Sequence, residues 1–226
     1  MRSSLSGMSN LVLATRNEHK VAELRAMLGD VLEVKTLSDF SDAPRLPETA
    51  DSFAGNASQK AVALAQWLGG LPENDFPAHV RSHCLVASDD SGLEVDALDG
   101  APGVHSARYA SADGGNASDA DNNVKLLREM ENVPLEKRSA RFVCVIAVTK
   151  VVRREDTSEA RFFEGTCEGT ITTVPHGENG FGYDPLFIPS GHRQTFAELG
   201  AEVKNQLSHR AVAFSKMASW LRESVL

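Results

Sequence analysis

The chain opens on a strand, a helix and a second strand, and this order constrains its fold more than any other feature of the sequence. Asn10 to Thr15 form a short apolar run that is typical of a buried strand. Asn17 stands where a helix N-cap is expected, apolar residues recur at helical spacing up to Leu28, and the glycine that follows predicts the end of the helix. Val31 to Thr36 then predict a second strand. This opening favours an α/β fold.

Further helices and strands are predicted in mixed order. Apolar residues at helical spacing predict three helices, over Ser52 to Leu68, Ala120 to Met130 and Glu202 to Val225. Strands are predicted over Cys84 to Ser88, over Leu93 to Leu98 after a tight turn, and over Ala140 to Val152 and Arg161 to Thr173. The charged connection Arg153 to Glu159 joins the last two as a hairpin, so we expect a mixed sheet with flanking helices. Gly69 to Ser82, with a glycine pair and two prolines, predict an exposed insertion loop.

Length and composition indicate one globular domain over residues 1–226. Hydrophobic residues make up 42% and charged residues 24% of the chain, which excludes disorder, collagen and coiled coil. The net charge of −8 argues against binding to nucleic acid, which needs a basic surface. The longest apolar run, Phe142 to Val148, is too short for a membrane helix, which needs about 20 residues.

The N-terminus and the cysteines bear on the compartment. Residues 1–8 are rich in serine and lack the apolar core of a signal peptide, and we expect them to be disordered. The three cysteines lie far apart and form no CxxC pair, which argues against a zinc site and against a disulfide framework. We therefore expect a cytoplasmic protein in a reducing compartment.

Thr15 to Lys20 lie where the first strand gives way to the first helix. The N–H groups of a helix N-terminus favour anions, Thr15 and Asn17 add donors, and Lys20 adds a positive charge. The segment is a candidate phosphate site, and an ordinary N-cap followed by an exposed lysine is the alternative. It is not a P-loop, because the glycines are missing.

Asp89 and Asp90 form an acidic pair at the predicted end of a strand. Two carboxylates at such a position suit a hard cation such as Mg²⁺. Adjacent strand residues point to opposite faces, so both can enter one pocket only if the chain turns, which Gly92 permits. The alternative is a hydrogen-bonded Asp-Ser-Gly turn without a ligand.

Glu48 precedes a helix on which Asn56 and Lys60 share one face. In the functional interpretation, Glu48 is a metal ligand and Lys60 is a second cation that reaches phosphate. In the alternative, Lys60 extends to solvent from the edge of the apolar face.

Two patterns near the C-terminus suit a nucleoside. Gly177 to Pro185 place three glycines around two aromatic residues, where the backbone can approach a ligand and Phe181 can stack on a planar base. Such a composition is also common in hairpin connections. Lys204 and Ser208 to Arg210 form a basic group at the predicted C-terminal helix, and their donors suit a purine edge. A solvated helix face is the alternative.

Together and in this order, these patterns resemble the inosine/xanthosine triphosphate pyrophosphatase family, from about Asn10 to Leu221. The matching blocks are Thr15-x-Asn17-x-x-Lys20, Glu48-Thr49 with Phe53-x-x-Asn56-x-x-x-Lys60, Ser88-Asp-Asp-Ser-Gly-Leu-x-Val95, Gly100 to Tyr109, Gly180 to Pro185 and Ser208-His-Arg210. The resemblance implies an α/β fold with an elongated mixed sheet, flanking helices, two lobes around a central cleft, and a homodimer. It also implies Mg²⁺-dependent hydrolysis of non-standard purine nucleoside triphosphates to the monophosphate and pyrophosphate.

The resemblance assigns roles to individual residues. Asp90 would be the general base and a metal ligand, and Glu48 the second metal ligand. The phosphates would be held by Lys60, Lys204 and the first loop, which comprises Thr15, Arg16, Asn17, Glu18, His19 and Lys20. The nucleoside would be held by Ser91, Phe181, Gly182, Tyr183, Asp184, His209 and Arg210.

The purine edge explains how such an enzyme can be selective. Inosine and xanthosine carry a 6-oxo acceptor where adenosine carries a 6-amino donor, and a buried donor left unpaired would reject adenine. His209 and Arg210 offer such donors. Because consecutive helical residues point about 100° apart, we expect Arg210 to reach the base and His209 to orient it or contact a neighbouring ring atom.

The chain departs from the family pattern at three places. Arg16 stands where a small glycine is usual, Gly55 stands where an acidic residue is frequent, and the Gly69 to Ser82 loop is longer than usual. Two other functions stay open, a pyrophosphatase for other nucleotides such as pyrimidine triphosphates and a non-catalytic nucleotide sensor. The presence of both Glu48 and Asp90 favours an enzyme over a sensor.

Overall fold

The computed structural model of the protein describes residues 10–28, 33–152 and 159–225. The expected disorder of residues 1–8 lies outside these ranges, as do residues 31 and 32 of the predicted second strand and residues 153–158 of the predicted hairpin connection.

Helices and strands follow one another in mixed order. The helices are α1 (Glu18–Leu28), α2 (Phe53–Gly69), α3 (Ala78–Arg81), α4 (Asp119–Glu129), α5 (Phe196–Leu207) and α6 (His209–Val225). The strands are β1 (Asn10–Leu13), β2 (Glu33–Thr36), β3 (Cys84–Val95), β4 (Ser139–Lys150), β5 (Arg161–Ile171) and β6 (Phe187–Pro189). Within the described ranges, no helix has the length and apolar character needed to cross a membrane.

The six strands form one sheet in the order β2-β1-β3-β4-β5-β6. β1 pairs in parallel with both β2 and β3, whereas β5 pairs antiparallel with β6. A parallel pair needs a crossover connection, and α1 supplies it between β1 and β2. The expected α/β fold with a mixed sheet and flanking helices is confirmed, and the central cleft implied by the resemblance stays a prediction.

The chain divides into two compact units, each with its own apolar core. The first unit comprises the residues up to 90, residues 145–164 and those from 213 onward, and its core packs the apolar face of α2 against β1 and β3. The second unit comprises residues 91–144 and 165–212, and its core contains the rings of Phe142, Phe187 and Phe196. The expectation of a single domain over residues 1–226 stays a prediction.

The helix α2 begins where the sequence predicts it. The Ser52 hydroxyl accepts a hydrogen bond from the Gly55 N–H at 3.2 Å and caps the helix. A Cβ atom at Gly55 would lie 2.5 Å from the Cβ of Ala50. An acidic side chain at position 55 therefore has no room unless Ala50 moves.

The predicted tight turn after Ser88 is wrong. β3 continues from Cys84 to Val95 through both aspartates and Gly92. The strand persists because polar partners on other elements satisfy the acidic side chains, so no local turn is needed to bond them.

The predicted C-terminal helix is interrupted at Ser208. The Ser208 N–H closes α5 on the Lys204 carbonyl at 2.9 Å, and its hydroxyl accepts from the Ala211 N–H at 3.1 Å to start α6. Its backbone is extended, with φ −66° and ψ 153°. Leu207, an apolar residue within the predicted helix, is exposed.

The exposed insertion loop predicted over Gly69 to Ser82 is also wrong in part. It contains α3, and Phe76 is buried in the core of the first unit. The Phe76 ring packs edge-on against Phe40 with centroids 6.2 Å apart. The prediction missed this anchor because a lone aromatic residue among polar ones shows no periodicity.

Candidate active site

The loop that joins β1 to α1 has the predicted N-cap. Thr15 Oγ1 accepts from the Asn17 N–H at 3.1 Å, and Asn17 Oδ1 accepts from the Lys20 N–H at 3.4 Å. Arg16 donates from its guanidinium to the Ala43 carbonyl at 3.1 Å, so its bulk is directed to a neighbouring loop. Glu18 is exposed, and the side chain of His19 is not among those described.

Lys20 forms a partly buried ion pair. Its Nζ donates to Asp89 Oδ2 at 2.6 Å, and the side chains are 20% and 7% exposed. The alternative of an exposed lysine after an ordinary N-cap is therefore wrong. Asp89 was predicted only as one of two candidate carboxylates, and its pairing with Lys20 was not predicted, because the two residues are 69 positions apart along the chain.

Lys60 joins two carboxylates in the first unit. Its Nζ donates to Glu48 Oε1 at 2.5 Å and to Asp90 Oδ1 at 3.1 Å. Asn56, one turn earlier on α2, donates from Nδ2 to Asp90 Oδ2 at 3.2 Å. The Lys60 side chain is only 9% exposed, so the alternative in which it extends to solvent is wrong. We call Glu48, Asn56, Lys60 and Asp90 the acid–lysine cluster.

The two aspartates of β3 serve different lysines. Asp89 pairs with Lys20 of α1, and Asp90 pairs with Lys60 of α2. This division follows from the alternation of side chains along a strand. Each carboxylate thus reaches its own partner without the turn that sequence analysis required.

Burial and charge set the protonation of the acid–lysine cluster. Desolvation raises the pKa of the Asp90 carboxyl, against the opposing effects of Lys60 and Asn56. Burial lowers the pKa of Lys60, but the carboxylates of Asp90, Asp89 and Glu48 outweigh it and the net shift is upward. Lys60 is therefore a cation at neutral pH, and Asp90 has a raised affinity for a proton, as a general base requires.

The cluster fits Mg²⁺ by its donor chemistry. Mg²⁺ is usually held by one or two carboxylates together with substrate phosphates and waters. Glu48 and Asp90 supply two carboxylates that share one ammonium group. In the described part of the chain, no group of three or more His, Cys, Asp or Glu residues is arranged around a metal position. Two carboxylates are the number that a Mg²⁺ ion shared with substrate phosphates usually takes from a protein.

The predicted nucleoside residues of the second unit gather around Phe181. Asp184 is buried, and its Oδ2 accepts from the Phe181 N–H at 2.9 Å and from Lys204 Nζ at 2.5 Å. Lys204 Nζ lies 4.0 Å from the centre of the Phe181 ring, and the Arg210 guanidinium carbon lies 5.6 Å from it. We call Phe181, Asp184, Lys204 and Arg210 the aromatic–cation cluster.

Lys204 therefore contacts Asp184 and Phe181, two of the residues assigned to the nucleoside. The resemblance had assigned it to the phosphates. The side chain of Tyr183 is buried, and its hydroxyl donates to the Ser106 carbonyl at 2.8 Å. This bond anchors the loop that carries Phe181 and Asp184. Ser91 follows Asp90 on β3 and is half-buried. Contacts of Tyr183 and Ser91 with substrate stay predictions.

His209 and Arg210 begin α6 and are both buried. The alternative of a solvated helix face is therefore wrong. The His209 ring stacks on Phe142, with centroids 4.9 Å apart and planes 14° apart, whereas Arg210 approaches Phe181. The two side chains diverge, as the geometry of consecutive helical residues requires. The contact of Phe142 with His209 was not predicted, because Phe142 has the pattern of an ordinary core residue in a strand.

The chain is similar to known proteins in sequence and in fold. The sequence model of the Ham1 family matches residues 11–220, and the chain belongs to this family. The dITP/XTP pyrophosphatase of Shouchella clausii is 46% identical over 210 residues, which are 93% of this chain and 95% of that protein. The dITP/XTP pyrophosphatase of Geobacillus kaustophilus is 46% identical over 219 residues, which are 96% and 97% of the two chains.

Solved structures of Ham1 proteins have a similar fold. A HAM1 protein from Coxiella burnetii superposes with a TM-score of 0.80 at 37% identity and covers 96% of this chain and 100% of its own. The Ham1 protein of Staphylococcus aureus superposes with a TM-score of 0.77 at 35% identity and covers 95% and 98%.

Proposed function

We propose that this protein hydrolyses non-standard purine nucleoside triphosphates, namely ITP, dITP and XTP, to the monophosphate and pyrophosphate. The names of the two relatives described above support the substrate class. The observation that carries the reaction type is the acid–lysine cluster, in which Lys60 lies between the carboxylates of Glu48 and Asp90.

Asp90 acts as the general base in this proposal. Water attacks the α-phosphorus, and the Asp90 carboxylate accepts its proton. Burial raises the proton affinity of this carboxylate, while Lys60 and Asn56 hold its two oxygens in place. The same contacts keep Asp90 from turning away when substrate is absent.

Cations of the first unit neutralise the triphosphate. A triphosphate carries about four negative charges, which repel an attacking water unless they are balanced. Lys20 and Lys60 supply two fixed positive charges, and each is already held by a carboxylate. Glu48 and Asp90 would hold Mg²⁺, which when bound adds further positive charge at the phosphate oxygens.

The aromatic–cation cluster selects the base. Phe181, which is 37% exposed, offers a ring face for stacking. Arg210 supplies donors for the 6-oxo group, and we reassign Lys204 from the phosphates to this end of the substrate because of its contacts with Asp184 and Phe181. Adenine presents a donor at the same position, and donors that face it stay unpaired.

We further propose a cytoplasmic homodimer that uses Mg²⁺. The family resemblance supports the dimer and the metal. All three cysteines are free and buried, which suits a reducing compartment.

Product analysis tests the reaction. Purified protein is incubated with ITP and Mg²⁺, and pyrophosphate and orthophosphate are measured separately, with and without a chelator. We expect equal amounts of IMP and pyrophosphate, and loss of both when the metal is removed. Release of orthophosphate would contradict attack at the α-phosphorus, and binding of ITP without any product would identify a sensor instead.

A further inference from the structure

The loop from Gly180 to Asp184 is held by two residues outside the aromatic–cation cluster. Asp119 Oδ2 accepts from the Gly182 N–H at 2.6 Å, and Asn123 Nδ2 donates to the Gly182 carbonyl at 3.0 Å. Asp119 and Asn123 lie one turn apart on α4. One face of this helix thus binds both polar groups of a single residue, and we call the two residues the α4 clamp.

The α4 clamp holds the backbone conformation of Gly182, which has no side chain to restrict it. Gly182 has a φ of +61°, in the left-handed region, and glycine populates positive and negative φ about equally. A Cβ atom built at Gly182 would meet no described atom within 4 Å, so packing does not select this conformation either. The hydrogen bonds to Asp119 and Asn123 select it together with the turn bond from the Asp184 N–H to the Phe181 carbonyl at 3.3 Å.

Each of three successive peptide groups in the loop is bonded to a side chain. The Phe181 N–H donates to Asp184, the Gly182 N–H donates to Asp119, and the Gly182 carbonyl accepts from Asn123. The backbone on both sides of the Phe181 Cα atom is therefore held, and with it the direction of the Cα–Cβ bond.

The Asn123 side-chain amide is hydrogen-bonded through its nitrogen but not, among the described residues, through its oxygen. Its Oδ1 is buried and finds no hydrogen-bond partner in the described part of the chain, and an unsatisfied buried acceptor is unfavourable. An apolar residue would avoid this loss, but it would also remove the donor to Gly182. This supports a role for the donor beyond the packing of α4.

We propose that Asp119 and Asn123 are positioning residues that hold the Phe181 ring for stacking on the nucleobase. The Phe181 side chain is 37% exposed, so packing holds the ring only in part and its position depends on the backbone. The proposal rests on the proposed function, in which Phe181 binds the base.

Binding of ligands with and without a base tests the clamp. Calorimetry gives the Kd of IMP, which has a base, and of tripolyphosphate, which has none. Asp119→Ala and Asn123→Ala each remove one bond, whereas Asp119→Asn keeps an acceptor for the Gly182 N–H. Asp121→Ala is the matched control, because it removes the same charge from the same turn of α4 and its described side-chain contact is with Ser118.

We expect Asp119→Ala and Asn123→Ala each to raise the Kd of IMP by about tenfold, or about 1.4 kcal/mol, and to leave the Kd of tripolyphosphate within about twofold. Asp119→Asn and Asp121→Ala should bind IMP like the wild type. In turnover of ITP, the loss should fall on KM rather than kcat, because stacking is present before the reaction begins.

Three results would overturn the proposal. An unchanged Kd of IMP in both alanine variants would show that the loop holds its conformation without α4. Equal weakening of IMP and tripolyphosphate, or an equal loss in Asp121→Ala, would indicate a general disturbance of the fold. A wild-type protein that does not release pyrophosphate from ITP would overturn the proposed function, and this proposal with it.

Discussion

Replacing Asp90 by Asn tests the assigned base with little change of shape. The carboxylate accepts from Lys60 at 3.1 Å and from Asn56 at 3.2 Å, and an amide can keep only one of these bonds. Lys60 is not left unpaired, because Glu48 still accepts from it at 2.5 Å. We therefore expect a loss of about 1–3 kcal/mol in the free energy of unfolding, the cost of one weakened hydrogen bond to a charged group. A folded domain with about 5–15 kcal/mol of stability survives this loss.

The loss of activity should be much larger than the loss of stability. Removing a general base typically lowers the rate by about 10²–10⁴-fold, which corresponds to roughly 2.7–5.4 kcal/mol in the activation barrier. Asp90→Asn also removes one carboxylate from the proposed metal site. The assay is pyrophosphate release from ITP, with urea unfolding of the same samples. Asp96→Asn is the control, because Asp96 pairs with Arg141 on the exposed side of the second unit. Activity of Asp90→Asn within about tenfold of the wild type would refute the assignment.

Three further variants test which part of the substrate each cationic side chain binds. Lys20→Ala should raise the Kd of a non-hydrolysable ITP analogue more than that of IMP, since an ammonium group on the phosphates meets fewer charges in the monophosphate. Equal losses for the two ligands would contradict this role. Lys204→Ala, by contrast, should weaken both ligands equally, because its Nζ contacts Asp184 and Phe181; a loss confined to the triphosphate would return it to the phosphates. Arg210→Ala should lower kcat/KM for ITP and XTP by roughly 1–3 kcal/mol, the value of a good base-edge contact, and that for ATP far less. An ITP/ATP ratio that does not change would show that Arg210 supports the phosphates or the fold.

Periodic patterns explain how much of the fold the sequence predicts. α2 is predicted almost to the residue, because its apolar positions repeat at helical spacing after a serine cap. β6 has only three residues, which is too short for any period to show. The break at Ser208 was missed because the apolar spacing of the two helices continues across it, while Ser208 ends the first helix with its backbone N–H and starts the second with its hydroxyl group.

In the candidate site, too, the sequence predicts some features and not others. The motifs identify Lys20, Lys60 and Asp90 by residue type and order. They do not show that Asp89 holds Lys20, because this pairing joins residues that are 69 positions apart. Nor do they identify Asp119, whose contact with Gly182 spans 63 positions. Spacing along the chain reveals neighbours on one helix or strand, whereas contacts between elements depend on the fold.

Selectivity for the 6-oxo purine is the central claim, and a substrate panel tests it most directly. Initial rates of pyrophosphate release from ITP, XTP, GTP, ATP and the pyrimidine triphosphate UTP, under one set of conditions with Mg²⁺, give kcat/KM for each. A donor left unpaired against adenine costs about 1–3 kcal/mol, so kcat/KM for ITP and XTP should exceed that for ATP by roughly 5–150-fold. Equal kcat/KM for ITP and ATP, or faster turnover of a pyrimidine triphosphate than of ITP, would contradict the account.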